Sequence, residues 1–315
     1  MALPSYDTTV MLAAIKRRAF RPVSDGLLAE SDILALADEE IATAVVPMLL
    51  QIRQEFFVTY SDLTLSSTQT DYQLPTRATA ESLRDVTLVD SAGGIFSIPR
   101  LEADQLDRFS NISSTGLLGF YLRDNTVVLL GTPGSYSTLR LSYFTRPNKL
   151  VNFATGAAGN TAVVASINTA TKTITTTATI PTTFTTSTPM DLISYTSRFQ
   201  SLAIDLTPTV AAGTTLTFAA TLPTTLKVGD YIALQGYTPV AQIPVELYPY
   251  LYQRVACTIL EVAGESGRLE RAQKVLIEME KKVMTAFTER VAGEVRKLVN
   301  VNGVGGVKNC RRQVW

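Results

Sequence analysis

The sequence contains no histidine. That absence excludes Ser-His-Asp and Cys-His catalysis, His-ligated zinc and His-ligated haem. Carboxylate-only, lysine-based and tyrosine-based chemistry remain open. The two cysteines, Cys257 and Cys310, are too few for a Cys-only zinc site or an iron–sulfur cluster. They also give no disulfide framework, which suits assembly in a reducing cytoplasm. Charge is scarce as well: charged residues make up 18% of the chain, against a usual ~25%. Lys plus Arg and Asp plus Glu number 28 each, so the net charge is zero. A free-standing nucleic-acid binder carries a basic excess, because phosphate neutralisation supplies most of its affinity. That class is disfavoured, although a local basic patch is not. Long apolar runs are missing too, and nothing approaches the ~20 residues of a membrane helix. Val10 to Ile15 is too short for a signal-peptide core, and Lys16-Arg17-Arg18 follows it instead of preceding it. The chain reads as soluble and cytoplasmic at synthesis.

What is present is enough to fold. Hydrophobic residues at 46% can build a core, and 315 residues suggest about two domains at ~150 residues each. Composition changes along the chain. Residues 1–150 are mixed and carry ordinary charge, residues 151–238 are Thr-rich and nearly uncharged, and the stretch from 244 to 300 is helical and charge-rich.

The first zone opens with helices. Ser5 or Asp7 can cap a helix through about Ala19. Ser31 is placed to cap a second helix, in which Ile33, Leu34, Ala37, Ile41, Ala44 and Val45 recur at helical spacing. Pro47 falls inside that pattern and predicts a kinked or two-part helix continuing to Phe56. Strands follow at Leu63–Leu65 and Asp71–Pro75. Leu83–Val89 and Ile95–Ile98 flank Ser91–Gly94, a hairpin signal, and Gly119–Leu122 and Val127–Leu130 flank Asp124-Asn125, another. Between the hairpins a short helix is expected over about Glu102 to Phe109. Leu139 to Phe144 alternates as a half-buried strand and stops at Arg146-Pro147.

The Thr-rich zone predicts short strands around Val163-Val164, Ile167, Thr173–Thr175, Asp191–Ile193, Thr215–Phe218 and Tyr231–Leu234. Threonine fits a pleated surface and stays soluble without ions. The expectation is a small sandwich or barrel inserted into the first fold, peripheral and separable. After Ile243-Pro244, one helix runs over Tyr248–Val262, a break falls at Gly264–Gly267, and a long amphipathic helix covers about Leu269 to Leu298. The two predict an antiparallel helical hairpin.

No motif carries obvious chemistry. Gly303-Val304-Gly305-Gly306 follows a helix and nears the end of the sequence, so it lacks the strand-to-helix setting of a dinucleotide loop. Gly131-Thr132-Pro133-Gly134 lacks the ending of a P-loop and reads as a turn. Asp38-Glu39-Glu40 and the Asp104/Asp107 pair are the best carboxylate groups for acid–base work or Mg²⁺, but acids on helix surfaces are far commoner. Cys257 reads as a small buried hydrophobe. The tail from Lys308 to Trp315 is more informative. Glycines precede it, and it ends in Arg311, Arg312, Val314 and Trp315, with Arg and Trp among the residue types enriched at interface hot spots. We read no catalytic, cofactor-binding or metal residues, and a partner-binding set of Lys308, Arg311, Arg312, Val314 and Trp315.

These pieces, in this order, resemble the head-to-tail adaptor (connector, head-completion) proteins of tailed bacteriophages. The resemblance rests on the Pro-interrupted helix ending in Phe56-Phe57, then Leu74-Pro75-Thr76-Arg77-Ala78 and Leu83-Arg84-Asp85-Val86. It continues with Gly119-Phe120-Tyr121, the stretch Leu139 to Pro147, and Ile243-Pro244 leading into a helical hairpin and a free tail. The Thr-rich insert is not part of that pattern. Taken with the composition zones, the expected fold is an α+β chain: a helical-bundle body with β-hairpins (1–150), an inserted Thr-rich all-β domain (151–238), a C-terminal helical hairpin completing the body (239–299) and an extended partner-docking tail (300–315). The resemblance implies a structural, non-enzymatic virion protein without cofactor, assembled in the host cytoplasm. Its copies would form a dodecameric ring at the head–tail junction, between the portal protein and the tail or nozzle proteins. Genomic DNA would pass through the channel in transient, non-specific contact, and no membrane would be involved. Two other classes fit the sequence: a β-rich adhesion or glycan-binding module, with Tyr195, Tyr231 and Tyr237 as its only platform residues, and a carboxylate-dependent hydrolase.

Overall fold

A computed structural model of the chain describes residues 6–20, 28–66, 68–102, 119–131, 134, 136–195 and 199–287. All of the expected helix over 102–109 beyond Glu102, the Asp104/Asp107 pair, the glycines at 303–306 and the whole partner-binding tail lie outside the described residues. The fold is a mixture of α-helices with largely antiparallel sheets.

Helix α1 spans Thr8–Arg18, and Asp7 caps it by accepting a hydrogen bond from the Val10 N–H at 3.1 Å. Helix α2 spans Glu30–Glu40. Ser31 does not cap it. The helix begins two residues earlier than a Ser31 cap would place it, with Ala29 at the cap position, no side-chain cap bond, and Glu30 and Asp32 in the first turn. Those acids complement the positive end of the helix instead. The feature at Pro47 is a π turn over Ile41–Val45, continued by helix α3 over Val46–Ile52. Pro47 lacks the N–H that the Thr43 carbonyl would otherwise receive, and its ring would clash there. The Val46 N–H donates to the Ile41 carbonyl instead, widening the turn so that the helical path continues.

Strands β1 (Val58–Thr64), β7 (Tyr136–Thr145), β3 (Ala78–Asp90) and β4 (Ile95–Ser97) form one sheet in that order. A second sheet has the order β2 (Asp71–Gln73), β6 (Thr126–Leu130), β5 (Gly119–Arg123). Both expected hairpins form: β3 pairs with β4, and β5 with β6, antiparallel. In the first turn, Asp90 Oδ1 accepts from the Ala92 and Gly94 N–H groups, and Gly93 takes a φ of 85° that favours glycine. On β7, Leu139, Leu141 and Tyr143 are buried in alternation, and the two leucines meet Leu88, Phe120, Val127 and Leu129 in a core between the two sheets.

The Thr-rich segment supplies a seven-stranded antiparallel sheet of its own. Its order is β12 (Ser201–Leu206), β11 (Met190–Ile193), β15 (Tyr231–Leu234), β9 (Thr161–Asn168), β10 (Thr173–Thr176), β14 (Thr215–Phe218), β13 (Pro208–Ala212). β12 and β13 were not read from the sequence. The chain enters and leaves this segment side by side, through the parallel pair β8 (Lys149–Leu150) and β16 (Tyr237–Thr238). Helices α4 (Tyr248–Val262) and α5 (Ser266–Ala286) follow as a hairpin, with Gly264 at φ 71° in the connection and Gly267 inside α5. The stretch from 288 to the expected helix end at Leu298 lies outside the described residues.

Two cores meet at one wall of strands. Ile232, Leu192, Met190 and Val164 point into a core within the Thr-rich segment. Their neighbours Ile193, Tyr231 and Ala233 point the other way, into a core with α1, α2 and α4. The two-residue period of a strand sends successive side chains to opposite faces, and here both faces are covered. Phe199 of the same segment lies among Tyr6 and Tyr248, with ring centroids 5.7 Å from each. Composition suggests a peripheral unit. The Thr-rich sheet instead supplies part of the helical core, because β11 and β15 carry large apolar residues on both faces.

Candidate functional site

The carboxylates singled out in the sequence do not converge on a reaction centre. Both Asp38 oxygens accept the Leu150 N–H, at 2.9 and 3.2 Å, tying α2 to β8. Burial pushes the Asp38 carboxyl up to about 6, against the lowering effect of that N–H and of nearby Lys149. Glu40 faces α4, taking the Arg254 Nε–H at 2.6 Å and the Thr258 hydroxyl at 2.9 Å. Glu39 is exposed. The three acids therefore work as separate struts or solvent-facing charge. Cys257 is buried beside Leu260 and Ala272, and burial raises its thiol pKa, consistent with a packing role. Among the described residues, no group of three or more Cys, Asp or Glu is placed to hold a metal ion, and no helix is long and apolar enough to cross a membrane.

The densest polar cluster sits where the chain passes between its first half and the Thr-rich segment. Arg77 lies in the Pro75–Ala78 turn just before β3, closed by the Ala78 N–H on the Pro75 carbonyl at 2.9 Å. Its guanidinium forks onto Asp191 of β11 at 3.0 and 3.1 Å, reaches Asp205 of β12 at 2.7 Å, and donates to Asn148 Oδ1 at 2.7 Å. Burial works against the Arg77 charge, but its bonds to Asp205 and Asp191 outweigh this and hold its pKa above the ordinary value. Asp191 is fully buried. It also accepts the Asn148 amide at 2.7 Å, the Gly236 N–H at 3.0 Å and the Asp205 N–H at 3.0 Å. Asn148 in turn donates its backbone N–H to Gln242 at 2.7 Å. Every segment joined here is thus pinned through one buried charge. The cluster is saturated with internal partners, so its chemistry is that of a joint. In the sequence Arg77 stands out only within a family-like phrase, and Arg146-Pro147 as a strand end. The available signal was the rarity of acids in the Thr-rich zone, which has only Asp191, Asp205 and Asp230.

Beside this joint runs an open groove of about 400 Å³. Phe56, Phe57 and β1 residues Val58 to Tyr60 form one wall, and Gln200 to Ile204 at the start of β12 form the other. Thr145, Arg146, Pro147 and Gln242 close the floor and rim. The Gln200 side-chain amide donates to the Phe56 carbonyl and bridges the walls at one end. Both walls are outer strands: β1 borders the four-stranded sheet and β12 the seven-stranded one. The lining is mostly apolar, with Arg146 its one charge. Such a surface suits an apolar extended segment better than a charged metabolite. No known family profile matches this chain, and no curated protein matches it.

Proposed function

We propose that this chain is a structural subunit of a tailed-phage virion, forming a ring that joins the portal to the tail and leaves a passage for DNA. One observation carries the reading. Helices α1 to α3, at the start of the chain, pack in a single core with the α4–α5 hairpin near its end. The adaptor-like phrases around Arg77, Arg146-Pro147 and Ile243-Pro244 flank that core and the joint beside it. The order of pieces that resembles an adaptor in sequence thus corresponds to one body, with the Thr-rich sheet spliced in between β8 and β16. In this reading the chain comprises a body (1–150), a Thr-rich β insertion (151–238) that also lines the helical core, a helical hairpin (239–299) and a docking tail (300–315). The chain is not an enzyme and needs no cofactor, and Lys308, Arg311, Arg312, Val314 and Trp315 dock on the portal. A near-neutral chain also suits a channel that must release DNA.

The glycan-binding alternative gains little support. Tyr231 is buried, and Tyr195 packs against it edge-on at 5.6 Å, which leaves Tyr237 alone as an exposed ring. The test is particle assembly with the chain truncated after Val299. A folded subunit that fails to join heads is the expected result. Normal yields of infectious particles would remove the docking role from the tail. Absence of the full-length chain from purified particles would remove the adaptor reading altogether.

A further inference from the structure

The two borders of the four-stranded sheet carry matched, unsatisfied backbone. Along β1, the Thr145 N–H donates to Phe57 at 2.7 Å and the Leu65 N–H to Ser137 at 2.9 Å. With the Val58↔Phe144 register, the odd-numbered residues bond to β7. Val58, Tyr60 and Asp62 therefore direct their N–H and C=O groups away from the sheet, and Val58 and Tyr60 line the groove. Along β4, the Asp90 N–H donates to Gly94 and the Ile98 N–H to Val86, so Ile95 and Ser97 direct theirs outward. Among the described residues neither border pairs with a further strand.

Exposed strand borders are normally guarded by lysine, proline or a covering element. Neither Val58–Thr64 nor Ile95–Ser97 contains a lysine or a proline; the one charge on β1, Asp62, is held by Arg140 within the sheet, and β4 is guarded only by its shortness. β4 instead exposes large apolar side chains, Ile95 at 59% and Phe96 at 45%. One border is thus an apolar groove with free backbone groups two residues apart. The other is a protruding apolar strand with free groups at the same spacing. Each lacks what the other has, and they lie on opposite sides of one sheet.

We infer that the β3–β4 hairpin of a second copy of this chain lies in the groove and adds β4 to β1, so that the sheet continues from one copy to the next. The contact is heterologous: different surfaces meet, and repetition generates a closed ring when the rotation closes. The backbone supplies pairing, and the apolar walls around Phe57, Leu202 and Ile204 receive Ile95 or Phe96. The inference rests on the ring reading above and specifies its copy-to-copy contact.

The experiment uses the full chain with Cys310→Ser. Tyr60→Cys and Ile95→Cys are prepared separately, mixed, and treated with a short bis-maleimide; Cys257 is buried and does not compete. Solution mass is measured in parallel for the unmodified chain, Tyr60→Pro and Ile95→Lys. Proline at position 60 removes an outward N–H and leaves the bonds to β7 in place, though it also removes the ring that stacks on Arg140, and lysine at 95 guards the other border. The expected results are a multi-copy unmodified chain, a cross-linked pair that needs both cysteine variants, and loss of the assembly to single subunits in both border variants. Cross-linking does not depend on how well either border variant folds. A multi-copy chain with no cross-link and unchanged variants would overturn this inference and leave the ring intact. A chain that stays a single subunit at every concentration would overturn the ring reading and this contact with it.

Discussion

In the helical half of the molecule, acids reach between elements at the periphery of a large aromatic core. Asp38 holds β8, Glu40 holds α4, and Glu30 takes Lys16 at 3.3 Å and Asn152 at 2.9 Å. In the Thr-rich half almost nothing is charged, and each of its three acids, two buried and Asp205 exposed, is tied to a partner within the fold. Asp191 anchors Arg77, Asp205 flanks it, and Asp230 accepts the Tyr195 and Lys227 N–H groups at 2.8 and 2.7 Å. Threonine takes over the solvent face, as in the Thr173–Thr217 hydroxyl pair at 3.2 Å. The difference shows two uses of charge. Where ions are common they are distributed struts, and where they are rare each one fixes a joint.

The sharpest way to break that contrast is Asp191→Ala. It leaves the Arg77 guanidinium with one carboxylate, leaves the Gly236 and Asp205 N–H groups unpaired, and leaves the Asn148 amide only the Tyr237 carbonyl at 3.2 Å. Breaking a buried pair from one side costs about 3–5 kcal/mol, and the denaturant midpoint should fall accordingly. A loss under about 1 kcal/mol, the scale of an exposed pair, would mean that the joint is not where the halves are held together.

The shared wall makes the next comparison. Leu251→Ala empties the helical core and Leu216→Ala the Thr-rich one; both side chains are fully buried. Each should cost about 2–5 kcal/mol, and calorimetry should show a single transition moving in both cases, because Ile193, Tyr231 and Ala233 belong to the strands that also line the second core. Two transitions responding separately would show that the wall does not couple them. Excision of 151–238 follows the same logic. It strips Ile193, Phe199 and Tyr231 from the helical core, so the excised chain should lose helical signal or aggregate, where composition alone suggests a separable unit.

Asp38 gives a smaller, pH-dependent effect. Its folded pKa of about 6 lies above the ordinary value of 3.8. Below about 4, the ordinary carboxyl range, both states hold the proton and no stability is lost. Between there and 6 the unfolded chain ionises first, so stability falls as pH rises, and above 6 the loss is complete. Asp38→Asn keeps an oxygen for the Leu150 N–H and removes this titration. The difference between the variant and the parent should therefore grow in the variant's favour from pH 4 to pH 7. A difference that does not change with pH would show that burial of this carboxylate carries no penalty.

Periodicity made much of the fold readable. The N-terminal helix, α4, both hairpins and the β7 alternation follow from apolar spacing and from Asp, Asn and Gly at turns. What failed did so for physical reasons. Ser31 looked like a cap, but its neighbours are acids that serve the helix end without a side-chain bond. The two outer strands of the Thr-rich sheet differ: Pro208–Ala212 carries a proline and two alanines and has almost no alternation, whereas Ser201–Leu206 does alternate, with Leu202, Ile204 and Leu206 in every second place, and was legible. The groove and the joint are long-range constructions. Arg77 meets Asp191 across more than a hundred residues of chain, and local spacing contains no record of that pairing. Only the scarcity of acids in the Thr-rich zone pointed to it.

The smallest effect tests whether threonine replaces charge as a solubilising surface at no cost in salt sensitivity. On α5, Lys274 and Glu270 form an i, i+4 pair at 2.8 Å with both side chains about 70% exposed. Such a pair contributes about 0.3–0.5 kcal/mol at low salt and is screened by added ions. On the sheet, the Thr173–Thr217 pair contributes about 0.2–1 kcal/mol through contact and hydroxyl bonding, with no net charge to screen. Lys274→Ala should therefore lower stability by a few tenths of a kcal/mol in dilute buffer and by nothing measurable in 1 M salt, about where the screening length shrinks to ~3 Å. Thr217→Val should give the same small change at both salt concentrations. The readout is the difference between paired denaturation curves, since each single shift is close to the error of one curve. If the threonine variant responds to salt as strongly as the lysine variant, the Thr-rich surface depends on charges elsewhere. The contrast between the two halves then reduces to composition alone.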